Sequence, residues 1–333
     1  MKDKISRLIE LVHKMPESCL DDAIEYITEK IEESSERKPI PPCPHCKAEN
    51  TKRNGNKNGR QRYLCKDCGR TYGETTHTAV SQSHYGEAVW KQLIRDTVSG
   101  RPIERTATSL GISHSTAFHM RHKILLSLEA EESREPTVLD GVCELDDTYV
   151  LESLKGSKLP EGFWRKPRKH GAKAQKRGIS NEYLGICTGV QRDGKAFSMA
   201  VTRATPGKED VISVFGNRIG SEALILCDGA TSYAALGEKC ECPVKNVCED
   251  GGKGGKGFYN TNTANNFHSF IKGRYNQYRG VATKYLNRYN ALFSKVFRSD
   301  DELTDELYNI FMSNDTPRHR SVYDVKALNL LDI

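Results

Sequence analysis

The sequence predicts a multidomain α/β protein in which two small modules precede a larger sheet domain. Three observations carry that expectation. Two Cys-x-x-Cys pairs lie 18 residues apart, apolar residues recur at helical spacing between residues 84 and 128, and short β-rich apolar runs begin at Val138. A length of 333 residues also fits two or three domains better than one.

Composition narrows the class. Apolar residues make up 37% of the chain, and no run approaches the roughly 18 apolar residues of a membrane span. The opening MKDKISRLIELVHK is amphipathic and charged, without the apolar stretch and cleavage site of a secretory signal. A cytoplasmic, nucleoid-associated protein with no membrane partner is therefore expected. The formal net charge of +6 hides an asymmetry: residues 1–36 hold 5 basic and 10 acidic side chains, whereas residues 37–78 hold 10 basic and 3 acidic. So dense a basic block suggests a polyanionic partner, although a solvated basic face has the same composition.

Residues 1–36 read as a helical hairpin broken at Met15-Pro16, either a solubilising cap or a dimerisation arm. A proline-rich linker leads into a module over residues 40–76. Here Cys43-Pro44-His45-Cys46 and Cys65-Lys66-Asp67-Cys68-Gly69 present four thiolates at a spacing that suits tetrahedral Zn²⁺, a redox pair being the other reading. About 30 residues cannot hold a core alone, so the zinc would be structural. Gly69 suits a knuckle turn at positive φ. Between and beside the pairs, Arg53, Lys57, Arg60, Arg62 and Arg70 make a basic hairpin expected to touch DNA. Cys240, Cys242 and Cys248 also cluster, but no fourth ligand for a second metal is evident.

Residues 84–130 fit a helix-turn-helix. Val89, Trp90, Leu93, Ile94 and Val98 stripe a first helix; Pro102 opens a second; Gly111-Ile112-Ser113 makes the turn, with Ser113 placed to cap the third. Ala117, Met120 and Ile124 share one face of that third helix. Ser115, His119, His122 and Lys123 fall opposite, where a major-groove reader needs donors. A plain helical linker is the other reading.

From residue 138, strands are expected at Val142–Val150, Tyr183–Val190, Ala196–Thr202 and Ala223–Cys227, with a turn at Arg192-Asp193-Gly194 and a helix over Pro206–Ile219. Asp146 lies near the end of the first strand and Asp228 directly follows the fourth. Strand-end carboxylates are costly to bury unless a cation neutralises them, and two on neighbouring strands can hold Mg²⁺. Two aspartates merely in turns would look the same. Glu144 shares the face of Asp146 and is a reserve ligand, while Asp147 points the other way. Downstream, Asn265, Ser269 and Lys272 stand at i, i+4 and i+7 of one helical face. The Lys155–Arg177 segment carries Arg165, Lys166, Arg168 and Lys169, and Arg274, Arg279 and Lys284 follow the last helix. All are candidates for a phosphate backbone.

The order of zinc ribbon, helix-turn-helix, two strand-borne aspartates and a helical Asn with Lys seven residues on resembles insertion-sequence transposases, in particular the group numbered fifteen-ninety-five. The motifs that carry the likeness are Leu145-Asp146-Asp147-Thr148-Tyr149, Cys227-Asp228-Gly229-Ala230-Thr231-Ser232-Tyr233 and Asn262-x2-Asn265-x3-Ser269-x2-Lys272, then Leu286-x2-Tyr289. It spans about residues 40–295. The resemblance implies a ribonuclease-H-like catalytic domain over residues 138–315, with a tail at 316–333. It implies that Asp146, Asp228 and Asn265 hold Mg²⁺ or Mn²⁺ and that Lys272 positions phosphate. Its implied partners are double-stranded DNA, both terminal inverted repeats and target, with at least a dimer on DNA because two ends must react. Its implied activity is 3′-end cleavage followed by strand transfer. The chain departs from the pattern with Asn260 where His is frequent, Asp147 where Glu is usual, and Asn265 in place of Glu. A zinc-dependent DNA-binding regulator with an inactive domain and a nuclease that does not join ends are the rival readings.

Overall fold

The computed structural model describes residues 39–57, 59–81, 83–156, 161, 166–168, 172–192, 194–229, 231–248, 255–299 and 303–313. The expected hairpin at 1–36, the tail at 316–333, Arg165 and Lys169 lie outside the described residues. The chain divides after Thr76 into two units.

The first unit is a three-stranded antiparallel sheet of β1 (Thr51–Lys57), β2 (Arg60–Cys65) and β3 (Thr71–Gly73), in that order. Its core is only Cys43, Tyr63, Cys65 and Tyr72, with the two tyrosine rings stacked at 5.4 Å. So small an apolar centre needs a staple. Gly69 takes φ +68 at the second knuckle, as its place in the motif requires. Arg53, Lys57, Arg60 and Arg70 are exposed, whereas Arg62 donates to Thr71 Oγ1 at 3.0 Å.

The second unit opens with α1 (Glu87–Val98), α2 (Ile103–Leu110) and α3 (His114–Arg134). Gly111 ends α2 at φ +64, and Ser113 Oγ accepts the Thr116 N–H at 3.0 Å to start α3. A mixed five-stranded sheet follows: β4 (Val142–Leu151), β5 (Tyr183–Gln191), β6 (Ala196–Arg203), β7 (Leu224–Cys227) and β8 (Val244–Asn246). Their order is β6-β5-β4-β7-β8. The first three strands run antiparallel to their neighbours, while β7 runs parallel to β4 and β8 parallel to β7. β8 is the strand the sequence does not announce, since three residues carry no apolar run. Strand alternation sends Cys143 and Leu145 of β4 to one face, where α4 (Lys208–Phe215) and α5 (Thr231–Cys240) cover them. The other face meets α6 (Asn262–Gln277) and α7 (Leu286–Val296), while α8 (Leu303–Ser313) packs on α1 and α3. A two-stranded ribbon, β9 (Gly255–Lys256) with β10 (Tyr259–Asn260), leads into α6.

The three early helices are not a body of their own. Met120, Ile124, Leu125 and Leu128 of α3 share one apolar cluster with Leu184 and Ile186 of β5 and with Leu292 and Phe293 of α7. This changes the face assigned to DNA reading. Ser115 is exposed, but His119 is half-buried, and Lys123 donates to the Ala79 carbonyl at 3.4 Å. His122 is 1% exposed, held between the rings of Phe118 and Tyr285 with centroids at 4.3 Å from each. It packs rather than reads. The sequence misleads because a histidine inside an aromatic stack has the same helical spacing as one facing solvent.

Burial, with Arg288 and Arg121 adding, pushes the His122 pKa down to about 3 from an ordinary 6.5. A depressed base favours its neutral form in the folded state. Its stabilising contribution is therefore complete above pH 6.5 and is lost as pH falls toward 3. His122→Phe keeps the ring stack and removes the proton. It should abolish on the order of 4 kcal/mol of acid destabilisation between those limits, measured by urea unfolding across pH, with little change at pH 7.

Candidate active site and zinc site

The four ribbon sulfurs, of Cys43, Cys46, Cys65 and Cys68, lie within 4.8 Å of one another. Cys43 and Cys68 stand 3.7 Å apart, and Cys46 and Cys65 3.6 Å. Burial raises the Cys43 thiol, but the N–H groups of Cys46 and His45 and the adjacent sulfurs outweigh it and bring it down to about 7. At Cys46 the Ala48 N–H favours the anion, yet desolvation and the sulfurs of Cys65, Cys68 and Cys43 push the thiol up to about 12. One thiolate forms readily and its neighbours then resist. A soft divalent cation relieves that conflict, and a four-sulfur donor set fits Zn²⁺. Among the described residues this is the one such cluster; Cys242 packs in the sheet core and Cys240 Sγ faces the Gly216 carbonyl at 3.8 Å.

The second site is set by strand register. Glu144 of β4 pairs with Leu226 of β7 in the parallel ladder. Two residues further along each chain stand Asp146, still within β4, and Asp228, directly after β7, near enough that the Asp228 charge acts on Asp146. Burial first, then the charges of Asp228 and Asp147, raise Asp146 to about 7, against the pull of the Asp147 N–H and of Lys272. Asp146 thus shares its surroundings with both Asp228 and Lys272. Asp147, on the opposite face, accepts from the Tyr233 hydroxyl at 2.8 Å and is raised to about 6 by burial and by Asp228.

α6 brings the third motif over this strand end. Asn265, Ser269 and Lys272 are exposed along one side, while Phe267, His268 and Ile271 are buried. The helix begins without a local side-chain cap. Its orphan N–H groups at Thr263 and Ala264 donate instead to Glu144 Oε2, at 2.7 and 3.0 Å. Glu144 Oε1 accepts from Arg192 Nε at 2.7 Å, and the carboxylate is fully buried. Glu144 is therefore not a reserve metal ligand. Both oxygens are committed to placing α6.

Sequence reasoning also passed over His268. Its Nε2 meets Thr188 Oγ1 at 2.6 Å, and Thr188 donates to the Asp146 carbonyl at 2.7 Å. The hydroxyl has one proton, so it accepts from Nε2–H, leaving the Nδ1 lone pair 3.8 Å from Asp146 Oδ2. Burial and Lys272 bring the His268 pKa down to about 4, which keeps the ring neutral. A signal existed: His268 is three residues from Asn265, on the neighbouring helical row. Its partner Thr188 is invisible without the β4–β5 register.

Asp228 and the Asn265 side chain have no hydrogen-bond or ion-pair partner among the described residues. Asp228 and Asp146 together put excess negative charge at this strand end, which suits a hard divalent cation. Residues 138–300, which contain all four catalytic candidates, match the family model of the ISXO2-like transposase domain. The domain over residues 138–300 thus belongs with this transposase family. Over 266 residues it is 26% identical to an uncharacterized protein in transposable element ISH50 of Halobacterium salinarum, covering 77% of this chain and 86% of that protein. It is also similar to solved assemblies of Mos1 transposase. A pre-cleavage transpososome aligns at 12% identity over 70% of this chain and 80% of that one, with a TM-score of 0.26. A strand transfer complex aligns at 14% over 74% and 79%, with a TM-score of 0.27. Scores that low carry no weight for the fold.

Several basic residues of the transposase expected on DNA have internal work. Arg168 donates to the Glu152 and Glu182 carbonyls and pairs with the Glu182 carboxylate at 3.0 Å. Lys284 donates to the Gly156 carbonyl, Lys166 has internal interactions, and Arg274 bonds Gln277 Oε1 at 3.1 Å. Arg279 stays exposed.

Two outcomes are expected. Glu144→Ala should lower unfolding stability by about 3 kcal/mol, because it removes the carboxylate that a half-buried guanidinium and two helix amides share. Adding Arg192→Ala should cost less than the sum of the single changes in a urea double-mutant cycle. The purified transposase should carry one zinc per chain by elemental analysis, and chelation should unfold residues 39–76, read as lost amide-exchange protection there, while the second unit stays protected.

Proposed function

We propose that this transposase binds the terminal inverted repeats of its insertion sequence, cleaves the 3′ ends and joins them to target DNA on a ribonuclease-H-like domain. The single observation that supports the reading is the β4–β7 register, whose last pair, Glu144 with Leu226, lies two residues before Asp146 and Asp228, with α6 and its Asn265 and Lys272 packed against β4. A sheet of three antiparallel strands continued by two parallel ones, with acids on the first and fourth in chain order, supports that domain type.

Asp146, Asp228 and Asn265 would hold Mg²⁺ or Mn²⁺, which when bound activates the attacking water or 3′-hydroxyl and stabilises the leaving oxygen. The chain's own residues do the rest. Asp146 gives up a proton held to about pH 7 when it becomes a ligand, so metal affinity falls in acid. The neutral His268 and Thr188 hold the Asp146 strand in place through the Asp146 carbonyl. Lys272 sets a phosphate by charge, from an exposed position one helical turn past His268. The exposed Arg53, Lys57, Arg60 and Arg70 of the ribbon supply backbone contacts to the repeat, and two chains act on two ends.

Asp146→Asn and Asp228→Asn should each reduce 3′-end cleavage and strand transfer by at least about 10²-fold in Mg²⁺ while leaving repeat binding intact. Cleavage equal to the parent's removes the catalytic assignment. A pre-cut end that is never joined favours the nuclease reading instead.

A further inference from the structure

We infer that the groove between α2 and the C-terminal end of α6 seats the phosphodiester backbone of duplex DNA. The inference rests on the transposase reading above and adds to it a site on a different surface. The groove, about 430 Å³, is lined by Arg101, Arg105 and Arg279 together with Thr108, Ser109 and Glu104. Arg101 pairs with Asp96 at 3.3 Å. Arg105 and Arg279 are exposed, and neither guanidinium has an ion-pair or hydrogen-bond partner among the described residues. Even counting Glu104 and Asp96, the lining stays net positive. Guanidinium forks beside hydroxyls are the donor set that phosphate oxygens take.

The walls are tied together. The Tyr278 hydroxyl donates to the Thr97 carbonyl, and Arg121, stacked 5.3 Å from the Tyr278 ring, donates to the Arg101 carbonyl at 2.8 Å. Gly100, at φ +77, lies so close to α6 that a Cβ there would stand 2.2 Å from Gln277 Oε1. The junction of α1 and α2 therefore sits fixed on the last turn of α6.

Arg279 itself gives the strongest sign. It follows the α6 C-cap in the left-handed region, φ +58, where glycine is the unstrained residue, and Gly280 comes directly after it. A long, charged side chain there is held against its backbone preference, and no described residue hydrogen-bonds or ion-pairs with it. Seven residues separate Lys272 from Arg279, roughly 10 Å along a helix axis, or about three base-pair steps of duplex. A strand seated at Arg279 is thereby aligned with the helix that carries the catalytic side chains.

The test uses the full-length protein, fluorescence anisotropy, and two duplexes of equal length, one ending in the terminal repeat and one of random sequence. Arg105→Ala and Arg279→Gly should each weaken binding to both duplexes alike, about 3–10-fold, and lower the slope of log K against log salt by about 0.9. Arg279→Gly should keep or raise the melting temperature, so its loss of binding is not unfolding. Lys208→Ala, on the opposite sheet face, should bind as the parent does. Parent-like affinity and slope in both groove variants, from a parent that binds and cleaves ends, overturns the groove alone. Loss confined to the repeat duplex also overturns it, since a backbone seat is blind to sequence. A parent that binds neither duplex removes the transposase reading and the groove with it.

Discussion

A buried carboxylate with no solvent contact holds the catalytic side of the sheet together. Glu144 is taken out of water completely, and its charge is balanced by the Arg192 guanidinium and by two amides at the positive end of α6. Arg192 in turn donates to the carbonyls of Phe258 and Asn260, on the ribbon that feeds α6. Three chain segments far apart in sequence, at residues 144, 192 and 258–264, thus meet at one ion pair. An apolar residue of equal volume could fill the space, but it could not fix where a helix begins or how it is turned about its axis. The angular position of α6 matters because Asn265, His268 and Lys272 occupy adjoining rows of that helix, and a rotation of one residue would carry them off the Asp146 strand end.

The parts of this architecture legible in the sequence are those written by local rules. Strand limits at Val142, Tyr183 and Ala196 follow from apolar β-rich runs, and each observed strand starts on the expected residue. Gly69, Gly111 and Ser113 stand where a turn, a helix end and a helix start need their chemistry. The gathering of the four cysteines is legible for the same reason, since four sulfurs at that spacing have few other uses. What the sequence does not disclose depends on which residues meet across the fold. Glu144 and Asp146 share a strand face and a charge, yet one anchors a helix and the other faces outward. His122 and Arg168 look like DNA contacts by composition and are consumed inside, one between aromatic rings and one on a glutamate. Charge and spacing report what a side chain can do; only packing decides whether it is free to do it.

The shared core of the early helices and the sheet has a functional consequence. α3 runs through the same apolar cluster as α7 and β5, so α1 to α3 cannot swing as an independent arm without exposing that cluster to water. A DNA segment engaged by these helices is consequently held at a constant offset from Asp146. The ribbon lies in the other unit, and its cysteine staple makes it a fold of its own.

The neutral amide at position 265 finds its physical explanation in the charges around it. Asp228 already disfavours the ionisation of Asp146, and Asp147, on the far face of the sheet, adds a further negative charge felt by Asp146. Asp147 does not face the α6 side, since strand alternation turns it toward Tyr233, but its charge acts there all the same. With Glu at 265, four carboxylates would crowd one strand end, and Asp146 would be driven further toward its protonated form before any cation arrived. An amide oxygen can still donate to a divalent ion without adding to that repulsion. In the proposed metal site, the amide on α6 and the acid at Asp147 would therefore be two halves of a single electrostatic arrangement, in which the field that attracts the cation is partly supplied by a residue on the far face of the sheet.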